Sequence, residues 1–194
     1  MRTAEITRNT KETRIRMLLN LDGSGQADIH TGIGFFDHML ESFARHGLFD
    51  LTLNVEGDLN VDTHHTVEDT GIVLGQAIAQ AVGDKKGIVR YGTVILPMDE
   101  SLVLVSLDLS GRAYLSWDVS LAAERVGGLE TETVKEFFYA VSSHAAMNLH
   151  VREICGGNTH HVIEAAFKAF AKALDAAVTT DPRIHDVLST KGSL

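Results

Sequence analysis

At 194 residues with 44% hydrophobic content, the chain is long enough to bury one core, either as a single domain or as two small repeats that share it. A net charge of -9 without any Lys/Arg run argues against electrostatic capture of nucleic acid or of an anionic membrane, so any phosphate it binds must be small and locally held. One cysteine, Cys155, allows no intrachain disulfide framework, MRTAEITRNT lacks the apolar core of a secretory signal, and no apolar stretch approaches the ~20 residues of a membrane span, so a cytoplasmic protein is expected.

Glu12 to Gly23, ETRIRMLLNLDG, reads as a strand leading into a Gly turn, and ADIHTG follows as another strand. Phe36, Met39, Leu40 and Phe43 fall at i, i+3, i+4 and i+7 and predict a helix. LFDLTLNV predicts a strand, and a long helix is expected from about His64 to Ala81. GDKKG, residues 83 to 87, is a turn and not a tether. The order then repeats. Glu100 to Gly111, ESLVLVSLDLSG, matches the first strand in length, in its Glu-Thr or Glu-Ser opening and in its Leu-x-Leu-x-Gly ending. This second copy is mostly apolar on both faces, which suits a sheet covered on more than one side. AYLSWDVSL, the helical stripe Val134, Phe137, Phe138 and Val141, the strand NLHVREI and a helix from about His160 to Val178 complete the second unit. The expectation is an α+β fold made by internal duplication of a β-β-β-α-β-α unit, with pseudo-repeats over about 1–86 and 87–180 in one packed body. The tail from Thr179 has no periodicity and reads as a loop.

Both long helices open on one pattern, Thr63-His64-His65-Thr66-Val67-Glu68 and Thr159-His160-His161-Val162-Ile163-Glu164, with Thr63 and Thr159 placed where N-cap hydroxyls would stand. On a helix each Glu shares a face with the first His at i, i+4 and lies i, i+3 from the second, while the two His point about 100° apart. Such a pair is suited to giving one nitrogen to each of two ions. Imidazole and carboxylate donors without thiolate favour Mn, Fe(II), Co, Ni or Zn over Ca or Mg. A lone His-His pair at a helix start is more often a capping or surface feature; two copies in register, with duplicated flanks, point to a paired metal centre. The order differs from His-Glu-x-x-His, so a zincin protease is not indicated. His38 opens the first middle helix, and Glu136 holds the corresponding place in the second half. His30, His46, His144, His150 and His185 have no duplicated partner and are taken as structural.

With GIGFFDHML, DTHHTVED, RYGTVILPMDE, GGNTHHVIEAAFKAF and the terminal STKG, the chain resembles the imidazoleglycerol-phosphate dehydratases over essentially its whole length. The resemblance implies two similar halves, each a four-stranded sheet backed by helices (ribosomal protein S5 domain 2-like). It also implies a homo-oligomer of about 24 subunits with sites between chains, and two Mn2+ per active site. One Mn would draw on His38, His65, Glu68 and His160, the other on His64, His161, Glu164 and position 136, where the commonest family residue is histidine and this chain has Glu136. The family's phosphate positions match Arg90, Arg112, Lys168, Ser189, Thr190 and Lys191, and its acid/base candidate matches Glu12. The implied reaction converts imidazoleglycerol phosphate to imidazole acetol phosphate and water, in histidine biosynthesis: ions on the ring nitrogens stabilise an imidazolate that expels hydroxide, and a carboxylate removes the neighbouring proton. A dinuclear hydrolase would use the same donors to activate water, and a metal-storage shell would need none of the arginines.

Overall fold

Every second side chain of the central strands is apolar and points inward, and this alternation builds two sheets. The computed structural model describes all 194 residues. In the first half, β1 (Thr3–Asn9), β2 (Thr13–Asn20), β3 (Ala27–His30) and β4 (Asp50–Gly57) form a sheet in the order β1-β2-β4-β3. Ile15, Met17 and Leu19 face the core from β2, while Arg14, Arg16 and Leu18 face outward. β3 runs parallel to β4, which the intervening helix α1 (Gly34–Gly47) makes possible by crossing over between them; the other pairings are antiparallel. The half closes with α2 (His64–Val82).

The second half repeats this topology. β5 (Tyr91–Met98), β6 (Ser101–Asp108), β7 (Tyr114–Asp118) and β10 (Asn148–Cys155) form a sheet in the order β5-β6-β10-β7, with β7 parallel to β10. Its helices are α3 (Glu132–His144) and α4 (Thr159–Val178). A small hairpin, β8 (Arg125–Val126) with β9 (Leu129–Glu130), precedes α3 and has no counterpart in the first half.

The helices exchange partners between the halves: α2 packs on α3 and α1 packs on α4. Glycine permits the first approach. A Cβ at Gly71 would lie 2.7 Å from the Phe137 carbonyl oxygen, and one at Gly75 would lie 2.7 Å from that of Val141. Phe36 of α1 meets Phe137 of α3 edge-on with ring centroids 5.4 Å apart, and Phe43 stacks on Phe170 at 5.5 Å, so the halves share one aromatic core. The tail is irregular, as expected, apart from an isolated bridge between Thr180 and Ile88.

Candidate active site

The motif helices start on Asx turns. Asp62 Oδ1 accepts the His64 N–H at 2.8 Å, and Asn158 Oδ1 accepts the His160 N–H at 2.9 Å. The expected Thr63 and Thr159 side-chain caps are therefore corrected. A side-chain oxygen one residue earlier reaches the free amide, and the threonine hydroxyls tie in the neighbouring segment instead: Thr63 donates to Glu130 Oε2 at 3.0 Å, and Thr159 accepts the Ala123 N–H at 3.1 Å. The adjacent imidazoles diverge as the helical step requires. His64 and His65 lie at 88° with centroids 6.1 Å apart, and His160 and His161 at 77° and 6.0 Å.

One imidazole of each pair joins its own glutamate. His160 Nε2 is 3.2 Å from Glu164 Oε2, and His38 Nε2, brought in by α1, is 3.8 Å from the same oxygen. The donor atoms of His38, His160 and Glu164 lie within 4.8 Å of one another, close enough to converge on one ion. Glu164 is 6% exposed. Burial pushes its carboxyl up, but the Lys168 ammonium, 2.6 Å from Oε1, and the two imidazoles outweigh that and hold it below the usual range. The pseudo-symmetric partner is looser: His64 Nε2 is 3.6 Å from Glu68 Oε2, and Glu136, half-buried on α3, makes no hydrogen bond or ion pair.

The second imidazole of each pair faces elsewhere. His65 Nδ1 is 3.0 Å from Asp58 Oδ2, and its Nε2 is 3.8 Å from Glu12 Oε1. His161 Nδ1 is 2.9 Å from Glu100 Oε2, and its Nε2 is 3.8 Å from Asp99. Hydrogen bonding to Asp58 raises the His65 pKa, and hydrogen bonding to Glu100 raises that of His161. The Asn158 N–H and His161 in turn hold Glu100 down at about 2. Within one chain Glu164 thus lies with His38 and His160, and Glu68 with His64; the expected ligand sets, with His65 beside His38 and His161 beside His64, draw on neighbouring chains.

Arg90, Arg112, Ser189, Thr190 and Lys191 line one cleft of about 790 Å³, roofed by the tail. Arg90 is buried at its wall. It forks onto Asp108 at 2.7 and 3.0 Å and donates to the Leu188 carbonyl at 2.6 Å, which leaves two of its five N–H groups for a ligand. Lys168 stands apart from this cleft, beside Glu164. Sequence reasoning missed Asp58, Asp99 and Glu100 as partners of the histidines. Glu100 had a signal, since it occupies in the second repeat the place of Glu12; Asp58 had none beyond its proximity to the motif.

Fold and site together define a duplicated α+β enzyme with imidazole–carboxylate clusters at the starts of its two long helices and a basic cleft under its tail. A family model described as imidazoleglycerol-phosphate dehydratase matches residues 31–174. The chain is 64% identical over 193 residues to the imidazoleglycerol-phosphate dehydratase of Lachnoclostridium phytofermentans, covering 100% of this chain and 98% of that protein. It is 60% identical to that of Acetivibrio thermocellus, covering 100% and 99%. Among solved structures, the Staphylococcus aureus enzyme superposes with a TM-score of 0.84 at 44% identity, covering 92% of this chain and 99% of that one. The Pyrococcus furiosus enzyme, solved in complex with (S)-C348, gives 0.85 at 35% identity, covering 97% and 100%. The chain belongs to the imidazoleglycerol-phosphate dehydratase family, and its activity is the loss of water from imidazoleglycerol phosphate in histidine biosynthesis.

Proposed function

We propose that this dehydration runs at a two-metal site, loaded with Mn2+, whose ligands are His38, His160 and Glu164 on one side and His64, Glu68 and Glu136 on the other. His65 and His161 complete it from neighbouring chains of a large cytoplasmic homo-oligomer. The observation that carries the reading is the convergence of His38, His160 and Glu164 within 4.8 Å. Nitrogen and carboxylate oxygen donors without sulfur fit a first-row ion of the Mn to Zn series. Bound ions would supply Lewis acidity to the substrate's imidazole ring and a template for its placement.

The chain's own groups do the rest. Lys168 keeps Glu164 ionised by sharing its buried oxygen. Arg112 and Lys191, with the Ser189 and Thr190 hydroxyls, grip the substrate phosphate in the tail cleft, and the remaining Arg90 donors add to them. That grip supplies orientation and binding energy remote from the breaking bond. Glu12, 53% exposed and 3.8 Å from His65 Nε2, takes the non-acidic proton from carbon once the neighbouring hydroxyl has left as hydroxide, and that proton and the hydroxide together are the water released. The resulting enol becomes the ketone of imidazole acetol phosphate. The two pseudo-repeats act as one body, since the His38 cluster draws α1 from the first and α4 from the second.

Metal and phosphate roles separate in two variants. His38→Ala should lower bound metal and abolish turnover, whereas Arg112→Ala should keep its metal and raise KM about tenfold or more. Full metal content in His38→Ala, or unchanged kinetics in Arg112→Ala, would overturn the corresponding assignment.

A further inference from the structure

The two repeats fix the same turn in different ways. In the second half the turn between β5 and β6 is held by the carboxylate of its own Glu100: Oε1 accepts the Asn158 N–H at 2.8 Å, and Oε2 meets His161 Nδ1 at 2.9 Å. Both oxygens are thereby occupied. In the first half the equivalent Glu12 makes no side-chain hydrogen bond and stays 53% exposed, yet its backbone is equally well fixed. The Glu12 and Thr13 amides both donate to Thr10 Oγ1, at 3.1 and 2.9 Å, and the Glu12 carbonyl accepts the Asp58 N–H at 3.1 Å.

The anchor of this turn is Asp69. It lies one helical turn after His65, on the same face of α2, and is 5% exposed. Its Oδ2 accepts the Thr13 hydroxyl in a short hydrogen bond, and its Oδ1 accepts Arg8 Nη2 at 2.9 Å, so it joins the end of β1 to the start of β2 on either side of Glu12. Arg8 Nε is buried without a partner, which leaves this network incompletely satisfied. The second repeat lacks all of it. Arg8, Thr13 and Asp69 correspond there to Leu96, Ser101 and Ala165. A half-buried ion pair of this kind is a poor source of stability; its attested use is to fix a unique arrangement.

We propose that Asp69 is a positioning residue for Glu12: by anchoring the β1–β2 turn to the helix that carries His65, it takes over the task Glu100 performs with its own carboxylate, and so leaves the Glu12 carboxylate free for proton transfer. The inference rests on the acid–base reading of Glu12 given above.

The test compares Asp69→Ala, which copies Ala165, with Glu12→Gln and the double variant, each as the metal-loaded full chain assayed on imidazoleglycerol phosphate. Asp69→Ala should lower kcat at least tenfold with KM within about threefold and metal content unchanged, and should cost under about twofold further in the Glu12→Gln background. Amide hydrogen exchange supplies a readout independent of activity. Residues 10–13 should exchange faster in Asp69→Ala, while residues 98–101, the internal control, should not change. If Asp69→Ala fails to fold, Thr13→Val removes the same link and should give the same pattern. Unchanged exchange over residues 10–13, or a kcat loss fully additive with Glu12→Gln, would overturn the proposal alone. Wild-type kcat in Glu12→Gln would overturn the acid–base reading and the proposal's catalytic claim with it, while faster exchange would still show that Asp69 anchors the turn.

Discussion

Each His-His pair splits its labour: His160 and His64 turn to the glutamate one helical turn along, while His161 and His65 meet carboxylates from other elements. For His65, hydrogen bonding to Asp58 raises the folded-state pKa above the unfolded value, so this pair stabilises the metal-free protein fully below about pH 6.5 and stops doing so as pH rises through the raised value. A metal ion needs the free imidazole, so its binding strengthens over the same window. The prediction is read as a difference between wild type and Asp58→Asn, in which background titrations such as that of His46, lowered by burial, cancel. The wild-type advantage in melting temperature of the metal-free proteins should shrink as pH rises from about 6 to 8. An advantage that grew over that range would show that Asp58 does not hold a protonated His65.

At the scale of elements, the packing of α2 on α3 joins the first half to the second. Gly71 and Gly75 allow it. Replacing a mid-helix glycine by alanine ordinarily gains about 1 kcal/mol of helix propensity. At Gly71 the new Cβ would lie 2.7 Å from the Phe137 carbonyl and 2.9 Å from Ala140 Cβ, and overpacking of this kind costs roughly 1–3 kcal/mol. Overlap with backbone wins, since a carbonyl cannot swing away as a side-chain tip can. Gly71→Ala should therefore melt a few degrees below wild type. Gly34→Ala in the first turn of α1, where the added Cβ meets nothing within 4 Å, should melt no lower than wild type. Calorimetry on both variants settles it, and a stabilised Gly71→Ala would mean the helices sit further apart than 2.7 Å implies.

At the scale of the whole molecule, one chain gathers His38, His160 and Glu164 while His65 and His161 meet carboxylates elsewhere, and the proposed two-metal site is completed by a second copy. Neighbours that exchange these imidazoles should complement each other. His65→Ala and His161→Ala, each inactive alone, should regain activity when dissociated and reassembled together, because some mixed interfaces would carry both intact imidazoles. A mixture as inactive as its components, in particles shown by native mass spectrometry to be mixed, would refute shared sites. A light-scattering mass of roughly 500 kDa would fit an assembly of about 24 chains of 21.1 kDa.

The duplication, the strand and helix order and the family were legible in the sequence, because each is a local pattern: a period of 2 or 3.6, or a repeated His-His-x-x-Glu on one helix turn. The element boundaries followed closely, with α2 and α4 starting at the motifs themselves. Other features depended on residues distant in the chain. No periodicity shows that α1 crosses to α4 and α2 to α3, so the partnership of His38 with Glu164 across the halves was out of reach of local reading. The Asx caps also displaced the expected threonine caps, since only tertiary packing shows that Thr63 is claimed by Glu130. The same limit explains Asp69 and Glu100: their types and positions were plain, but what each carboxylate does is decided by which oxygen a distant hydroxyl, amide or imidazole reaches, and that is a property of the folded chain.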